Sequence, residues 1–317
     1  MSRRSASTYK IVTLSGDGVG PEVTEETLKV LNATSIEMKT EEHLIGGIAY
    51  DKVGDPFPKE AEEACKNADA ILLGAVGGPK WDNVEPTRRP EQGLLKLRKE
   101  LDLFANLRPV RFFDALLEHS PLRSDLCEGV DMLFVRELVG GIYFGPRSER
   151  AENSEGVQEA WDTMIYSDPE VERIVRVAAN AAREREGRVL SVDKANVLAS
   201  SRLWREVATR VVSQEYSDVE LKHGLVDSVA MDIIKRPRQF DVVVTKNMFG
   251  DILTDLASVL AGSLGLLPSA SLSTQGKPGV YVFCLFFFLY DNDDDDDDDD
   301  DDDVMTLSLH TFLSLTL

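Results

Sequence analysis

Short apolar runs alternate with helix-like stretches along most of this chain, and this alternation constrains its fold more than any other feature. The apolar runs lie at residues 9–14, 68–78, 130–138, 188–197 and 240–248. Such runs are typical of the central strands of an α/β sheet, which helices cover on both faces. The sequence therefore predicts an α/β protein, and its 317 residues suffice for one large domain or two ordinary ones.

Two stretches between these runs carry clear helix signals. Residues 21–34 follow the first predicted strand and have Pro21 in their first turn. Residues 168–187 have the clearest helical period, and Gly187 is a typical stop. The apolar face of this second helix consists of Val171, Ile174, Val175, Ala178 and Ala182.

Composition excludes several classes of protein. The formal net charge is −21, but Asp291 and Asp293–Asp303 supply twelve of the negative charges and leave −9 for the rest. This moderately acidic body disfavours nucleic acid as a partner, because phosphates are neutralised by clustered Lys and Arg. The apolar run at 280–289 is far shorter than the ~20 residues that a membrane helix needs, so no membrane protein is expected.

Cysteine usage indicates the compartment. Cys65, Cys127 and Cys284 lie far apart and lack the spacing of metal ligands, which favours reduced thiols. The basic, serine-bearing segment before the first predicted strand is too short for a transit or signal peptide. We therefore expect a cytoplasmic protein.

The GDGVG loop after the first predicted strand contains glycines at positions 16, 18 and 20. This spacing differs from the GxGxxG of a dinucleotide-binding Rossmann fold, and no acidic residue follows at the distance of a ribose partner. The loop is interpreted as a tight turn, and a Rossmann fold is excluded.

Asp251 and Asp255 lie one helical turn apart, so two carboxylates share one face if residues 251–262 are helical. Like charges at this spacing cost an exposed helix roughly 0.2 to 0.5 kcal/mol, and a hard divalent cation would remove that cost. The alternative is an ordinary helix start at Gly250 and Asp251, where acidic residues interact favourably with the helix dipole. The pair alone leaves both interpretations open.

A predicted helix at 90–103 carries Glu91, Leu94, Leu95 and Arg98 on one face, at i, i+3, i+4 and i+7. A core face would not include both charges. One interpretation is a boundary stripe whose charged ends reach water. The other is a pocket with an apolar floor and a cation at its rim, in which Arg98 joins Arg108 and Arg136 to bind two carboxylates.

Several segments together resemble the isocitrate/isopropylmalate dehydrogenase family, the metal-dependent decarboxylating 2-hydroxyacid dehydrogenases. They are GDGVGPEV at 16–23, GAVGGPKWD at 74–82, and the segments 89–109, 135–145, 192–198 and 247–272. The resemblance runs from Tyr9 to about Leu272, with weaker support through Tyr281. It implies a two-domain α/β fold with a mixed sheet flanked by helices, built from a discontinuous cofactor-side domain (1–103 plus 262–281) and a substrate and dimerisation domain (104–261).

The resemblance also implies an active site shared between two chains of a homodimer. Lys194 and Asp227 of one chain would enter the site of the other, where Lys194, with a pKa lowered by burial or by nearby positive charge, takes the proton of the substrate hydroxyl. Tyr143 would protonate the enol carbon after loss of the carboxylate. The metal, Mg²⁺ or Mn²⁺, would be held by Asp251, Asp255 and Asp227 of the second chain.

The remaining site residues follow from the same resemblance. NAD would lie near Gly77, Glu91 and Asn196 and beside the GDGVG turn, and Val197 would line the substrate pocket. The family members that act on isocitrate carry a Ser and Asn motif where this chain has Leu94 and Leu95. Since an apolar pair buries an alkyl group but cannot satisfy a carboxylate, the pair favours 3-isopropylmalate, with each buried methylene contributing ~0.8 kcal/mol.

The predicted reaction is therefore the NAD-dependent oxidative decarboxylation of 3-isopropylmalate to 2-oxoisocaproate, a step of leucine biosynthesis. Tartrate, homoisocitrate and isocitrate dehydrogenases are alternatives within the same class. A different class of function is a catalytically dead, truncated subunit that only dimerises.

The resemblance ends at about residue 281. The family would continue with a His, Gly, Ser, Ala, Pro segment and an Asp that accepts the adenosine ribose hydroxyls, whereas this chain reads VFCLFFFLYDN followed by eleven aspartates. Residues 282–317 are predicted to be an aberrant, disordered tail that comes from a retained intron, a frameshift or a gene-model error. Weak or absent NAD binding is the expected consequence.

Overall fold

A computed structural model describes residues 8–112, 122–260, 267–274 and 277–282. The chain divides into two compact units, one formed by Met1–Leu94 with Lys277–Leu317 and the other by Leu95–Gly276. These boundaries differ from the predicted ones at 103/104 and 261/262, and the functional division into domains stays a prediction. Apart from Val282, the predicted aberrant tail lies outside the described residues.

The regular elements alternate along the chain as the sequence predicts. The strands are β1 Tyr9–Gly16, β2 Met38–Glu42, β3 Ala70–Ala75, β4 Ala105–Arg111, β5 Asp131–Glu137, β6 Arg147–Glu152, β7 Gln158–Asp162, β8 Arg188–Asp193, β9 Glu220–Leu225, β10 Val242–Thr245, β11 Ser269–Leu272 and β12 Gly279–Val282. The helices are α1 Gly20–Ala33, α2 Gly47–Val53, α3 Lys59–Lys66, α4 Pro90–Glu100, α5 Ser124–Cys127, α6 Asp168–Arg183, α7 Ala199–Glu215, α8 Val226–Lys235 and α9 Asn247–Ser258. Among the described helices, none is long and apolar enough to cross a membrane.

The first unit contains four parallel strands in the order β2-β1-β3-β12. Val12 and Leu14 of β1 and Ile71 of β3 are fully buried, as expected of central strands. The GDGVG loop joins β1 to α1, and space requires glycine at position 16, where a Cβ would lie 2.0 Å from the backbone oxygen of Ala75. The interpretation of this loop as a tight turn therefore agrees with its backbone.

The second unit contains six strands in the order β11-β4-β5-β10-β8-β9. Strands β5, β10, β8 and β9 run parallel, whereas β4 is antiparallel to both of its neighbours, so this sheet is mixed. The side chains of Met132, Phe134, Val243 and Leu253 form part of the core between the sheet and helices α8 and α9. Strands β6 and β7 form a separate two-stranded ribbon with almost every residue exposed.

Two predicted helix boundaries are wrong. Helix α9 begins at Asn247 with Lys246 as its N-cap, so Gly250 and Asp251 do not start it and the capping interpretation of Asp251 fails. Gly250 lies inside the helix. Glycine is needed there because a Cβ would lie 2.6 Å from the Cγ of Arg136. Helix α4 ends at Glu100, before the predicted residue 103, and Asp102 follows with a φ of 50°.

Candidate active site

The buried guanidinium of Arg136 organises the candidate site in the second unit. Arg136 is the penultimate residue of β5 and is 1% exposed, and its Nη1 donates to Asp251 Oδ1 at 2.5 Å. Its Nε and Nη2 both donate to Asn247 Oδ1, at 3.1 and 2.7 Å. Because Asn247 and Asp251 lie one turn apart on α9, one arginine fixes this helix face against the sheet.

Tyr143 approaches the same carboxylate from a short 3-10 turn at Gly141–Tyr143. Its hydroxyl donates to Asp251 Oδ2 at 2.9 Å. Burial, and then the neighbouring charge of Asp251, raise the pKa of Tyr143 to about 12. The phenol therefore holds its proton at neutral pH, as a group that donates a proton must.

Arg108 reaches the second acidic residue of α9. It lies on β4, and its Nη1 donates to Thr254 Oγ1 at 2.7 Å and lies 3.5 Å from Asp255 Oδ1. Its Nε donates to Asn106 Oδ1 at 3.0 Å, which fixes the orientation of the guanidinium. Burial, and then the charge of Arg136, lower the pKa of Arg108.

Arg98 on α4 completes the group of three arginines. Burial, and then the positive charges of Arg136 and Arg108, lower its pKa to about 9. Three guanidinium groups thus repel one another around Asp251 and Asp255, and a bound dianion would relieve that repulsion. The structure brings together six predicted site residues here: Tyr143, Arg98, Arg108, Arg136, Asp251 and Asp255.

The predicted stripe on α4 is helical and does not face the core. Pro90, Gly93 and Leu97 are the buried positions of this helix, whereas Leu94, Leu95 and Arg98 are partly buried and Glu91 is exposed. The two leucines therefore present apolar surface that is not used up by packing. This agrees with both interpretations of the stripe.

Lys194 and Asp227 form a second group. Lys194 follows β8, and its Nζ donates to Asp227 Oδ1 at 2.7 Å. The lysine side chain is 26% exposed in the single chain, and its burial in the site of a second chain stays a prediction. Nearby, Asn196 is exposed and Val197 is 63% exposed.

The residues predicted to lie near NAD include a close pair in the first unit. Gly77 has a φ of +101°, and a Cβ there would lie 2.7 Å from Glu91 Oε1. The amide of Gly77 donates to Asp17 Oδ2 at 2.8 Å. Asp17 is 3% exposed and also accepts hydrogen bonds from the amides of Gly47 and Ile48, so it fixes the backbone on which Gly77 lies.

Asp251 and Asp255 offer the oxygen ligands that a hard divalent cation prefers. They share one face of α9 and keep 36% and 58% of their side-chain surface exposed. Within the described ranges of a single chain, no three His, Cys, Asp or Glu side chains come together as metal ligands. Two carboxylates of one chain thus offer oxygen ligands that suit such a cation.

The sequence and the fold match a known family of enzymes. The family model described as isocitrate/isopropylmalate dehydrogenase matches residues 10–282. The chain belongs to the isocitrate/isopropylmalate dehydrogenase family. The family resemblance and the fold class predicted from the sequence are thereby confirmed.

Similar proteins within this family include two named 3-isopropylmalate dehydrogenase. The one from Bacillus subtilis is 58% identical over 271 residues, which cover 84% of this chain and 74% of the relative. The one from Rhodopirellula baltica is 58% identical over 276 residues, which cover 86% and 76%. Among solved structures, isocitrate dehydrogenase from Methylococcus capsulatus is similar with a TM-score of 0.76 and 31% identity, over 87% of this chain and 77% of that one.

Four buried polar residues of this family member were not predicted from the sequence, one in the first unit and three in the second. Asp17 is described above, and Asn247 bonds Arg136 and the backbone oxygens of Leu138 and Gly140. Glu137 is fully buried, and burial raises its pKa to about 7 although it accepts hydrogen bonds from two backbone amides. Lys246 is fully buried as well. Position in the sequence could have indicated three of them, since Glu137 ends an apolar strand and Lys246 and Asn247 follow another one.

Proposed function

We propose that this chain oxidises and decarboxylates 3-isopropylmalate to 2-oxoisocaproate in leucine biosynthesis, with NAD as the oxidant. Two relatives at 58% identity are named for this activity. The observation that carries the proposal is the arrangement of three arginines around the carboxylate of Asp251, with Leu94 and Leu95 on the helix that holds Arg98. The arginines match a dianion, and the leucines match a branched alkyl group.

The site residues fit a metal and the nicotinamide cofactor. Asp251 and Asp255 would hold Mg²⁺ or Mn²⁺ together with Asp227 of a second copy, and Gly77, Glu91 and Asn196 would contact NAD. When bound, the cation polarises the oxygen at C2 of the substrate and NAD takes up the hydride. The chain's own groups do the rest of the chemistry.

Proton transfers are assigned to two side chains. Lys194 of a second copy takes the proton of the C2 hydroxyl while the hydride leaves C2. After CO₂ has left, the phenol of Tyr143 gives its proton to C3, which agrees with its raised pKa and its bond to Asp251. Arg98, Arg108 and Arg136 hold the two substrate carboxylates, and Val197 of the second copy closes the alkyl pocket.

A homodimer is proposed as the smallest active unit. Lys194 and Asp227 contact each other and make no described hydrogen bond to the arginine group. The β6–β7 ribbon exposes Val157 and Trp161, and a two-stranded ribbon is marginal in water unless something packs on it. A second copy would bury both features. The cytoplasm is the proposed location.

The decisive test is NAD reduction by the purified chain with Mg²⁺ and each of four acids: 3-isopropylmalate, tartrate, homoisocitrate and isocitrate. Among these acids we expect turnover of 3-isopropylmalate alone, and the assay uses a high concentration of NAD because weak NAD binding is predicted for this chain. The variant Leu95→Ala should lower kcat/KM for 3-isopropylmalate about tenfold through lost apolar contact, and leave that for unbranched malate within about twofold. Equal losses on both acids would contradict a role for Leu95 in the alkyl pocket.

A mixing experiment tests the shared site. Lys194→Ala and Asp251→Asn chains should each be inactive alone. When the two are unfolded and refolded together, about a quarter of the parental activity should return, because half of the dimers are mixed and each mixed dimer regains one intact site. Absence of recovery with intact dimers would refute the shared site. Absence of NAD reduction in the parental chain with intact dimers would instead favour the subunit that only dimerises.

A further inference from the structure

Lys246, the N-cap of α9, is a buried cation that the proposed chemistry does not use. It is 0% exposed, and its Nζ donates to Ser201 Oγ at 2.9 Å and to Ser200 Oγ at 3.1 Å. The rings of Tyr166 and Phe249 lie 5.1 and 6.0 Å from it. Among the described carboxylates, Asp193 acts on it electrostatically but is itself bonded to Arg205.

Ser201 connects this lysine to Lys194. The backbone amide of Lys194 donates to Ser201 Oγ at 3.0 Å, so one hydroxyl accepts hydrogen bonds from both lysines. Ser201 is fully buried in the first turn of α7 and has no access to water as an alternative partner. The ammonium of Lys246 therefore fixes the hydroxyl that fixes the backbone of Lys194.

The residue after Lys246 holds the other half of the site. Asn247 accepts two hydrogen bonds from Arg136 and donates to Leu138 and Gly140, at the start of the loop that carries Tyr143. Two consecutive residues at the start of α9 are thus connected to the lysine and to the arginine parts of the site. Lys246 is connected to Lys194 through Ser201, and Asn247 bonds Arg136 and the backbone just before Tyr143.

A purely structural role would be filled at lower cost by an apolar side chain, because a buried cation without a carboxylate partner carries a desolvation penalty. Besides a contact with Met164 Sδ at 4.0 Å, the hydrogen bonds of the Lys246 ammonium go to Ser200 and Ser201, in the first turn of the helix that follows Lys194. We propose that Lys246 is a positioning residue, which holds the backbone of Lys194 through Ser201 and so sets where the Lys194 amine lies. This inference rests on the role proposed for Lys194.

The first test measures hydrogen exchange at the backbone amide of Lys194 in the full chain. Lys246→Met keeps the length and apolar contacts but removes the ammonium, and Ser201→Ala removes the shared hydroxyl. We expect the Lys194 amide to exchange about five- to tenfold faster in both variants, since each weakens its hydrogen bond. Ser200→Ala is the matched control, because Ser200 contacts Lys246 but not Lys194, and it should change the rate less than about twofold.

The second test separates positioning from a general structural role by steady-state kinetics with 3-isopropylmalate, NAD and Mg²⁺. Lys246→Met should lower kcat about tenfold and leave KM for 3-isopropylmalate within about twofold, because the three arginines are untouched. Ser201→Ala should behave in the same way, and Ser200→Ala should match the parent.

The outcomes distinguish this inference from the proposed function. Unchanged exchange at Lys194 in Lys246→Met overturns the inference, whatever the activity. Faster exchange with parental kcat shows that Lys246 supports the fold only and also overturns it. No turnover in the parental chain refutes the proposed function, and the exchange data then decide alone whether Lys246 holds the Lys194 segment.

Discussion

The substitution Lys246→Met should stabilise the protein at neutral pH. Burial lowers the pKa of Lys246 from its usual 10.5 to about 8. A shift of this size corresponds to about 3 kcal/mol of unfavourable free energy when the folded protein holds the charge at pH 7. Loss of the hydrogen bonds to Ser200 and Ser201 costs about 1 kcal/mol. The cost stays small because Ser201 still accepts the hydrogen bond of the Lys194 amide and Ser200 is only partly buried. The free energy of unfolding should therefore rise by about 2 kcal/mol at pH 7.

The stability gained by Lys246→Met should depend on pH in a definite direction. The folded pKa of Lys246 lies below the unfolded one, so the unfolded chain binds more protons between pH 8 and 10.5 and the parental protein gains stability as pH rises through that window. The advantage of Lys246→Met should shrink to near zero at about pH 10.

Urea unfolding followed by tryptophan fluorescence is a suitable assay, because Trp204 lies edge-on to Tyr166 with ring centroids 5.5 Å apart. Lys39→Met, at an exposed lysine of β2, is the matched control and should change stability by less than about 0.5 kcal/mol at either pH. A Lys246→Met protein that is less stable than the parent at pH 7, or a difference that does not change between pH 7 and pH 10, would refute the reasoning.

Three further predictions concern the arginine group and its supports. Asp251→Asn should lower the pKa of Tyr143 from about 12, because Asp251 contributes to its rise after burial; an absorbance titration at alkaline pH checks this, and an unchanged pKa would show that burial alone sets it. Gly250→Ala should destabilise the protein by about 1 to 3 kcal/mol in urea unfolding, because its Cβ would meet Arg136 Cγ at 2.6 Å; equal stability would mean that Arg136 shifts freely. Glu137, whose pKa is raised from 4.5 to about 7, contributes stability that is fully present below pH 4.5 and lost as pH rises through 7. Glu137→Gln should remove roughly 3 kcal/mol of this dependence, and equal pH profiles would contradict it.

The arginine group was predicted because the three arginines lie in segments that all resemble one family, since a single arginine does not distinguish a binding site from a surface ion pair. Only Arg98 also has a local signal, because the helical period places it on one face with two leucines. The spacing of Asp251 and Asp255 was sufficient in the same way, because one helical turn places them on one face wherever the helix begins.

The start of α9 could not be predicted, because tertiary packing decides it. The sequence offers Gly250 as a start, since glycine is poor inside a helix. In the structure glycine is needed there so that the helix can lie against Arg136, and the helix extends back to Asn247. For the same reason the sequence does not single out Lys246. Lys194 and Lys246 each directly follow an apolar strand, and only the packing of α7 shows which of them is fully buried.

The carboxylate of Asp17 has a consequence for the order of events in folding. It accepts amides that lie 30, 31 and 60 residues further along the chain. Closing loops of that length lowers the conformational entropy before the hydrogen bonds to Asp17 can stabilise the chain. These contacts should therefore form after the folding transition state. Asp17 would then mainly lower the unfolding rate, and so prolong the lifetime of the turn around Gly77. It would have little effect on the folding rate of the first unit.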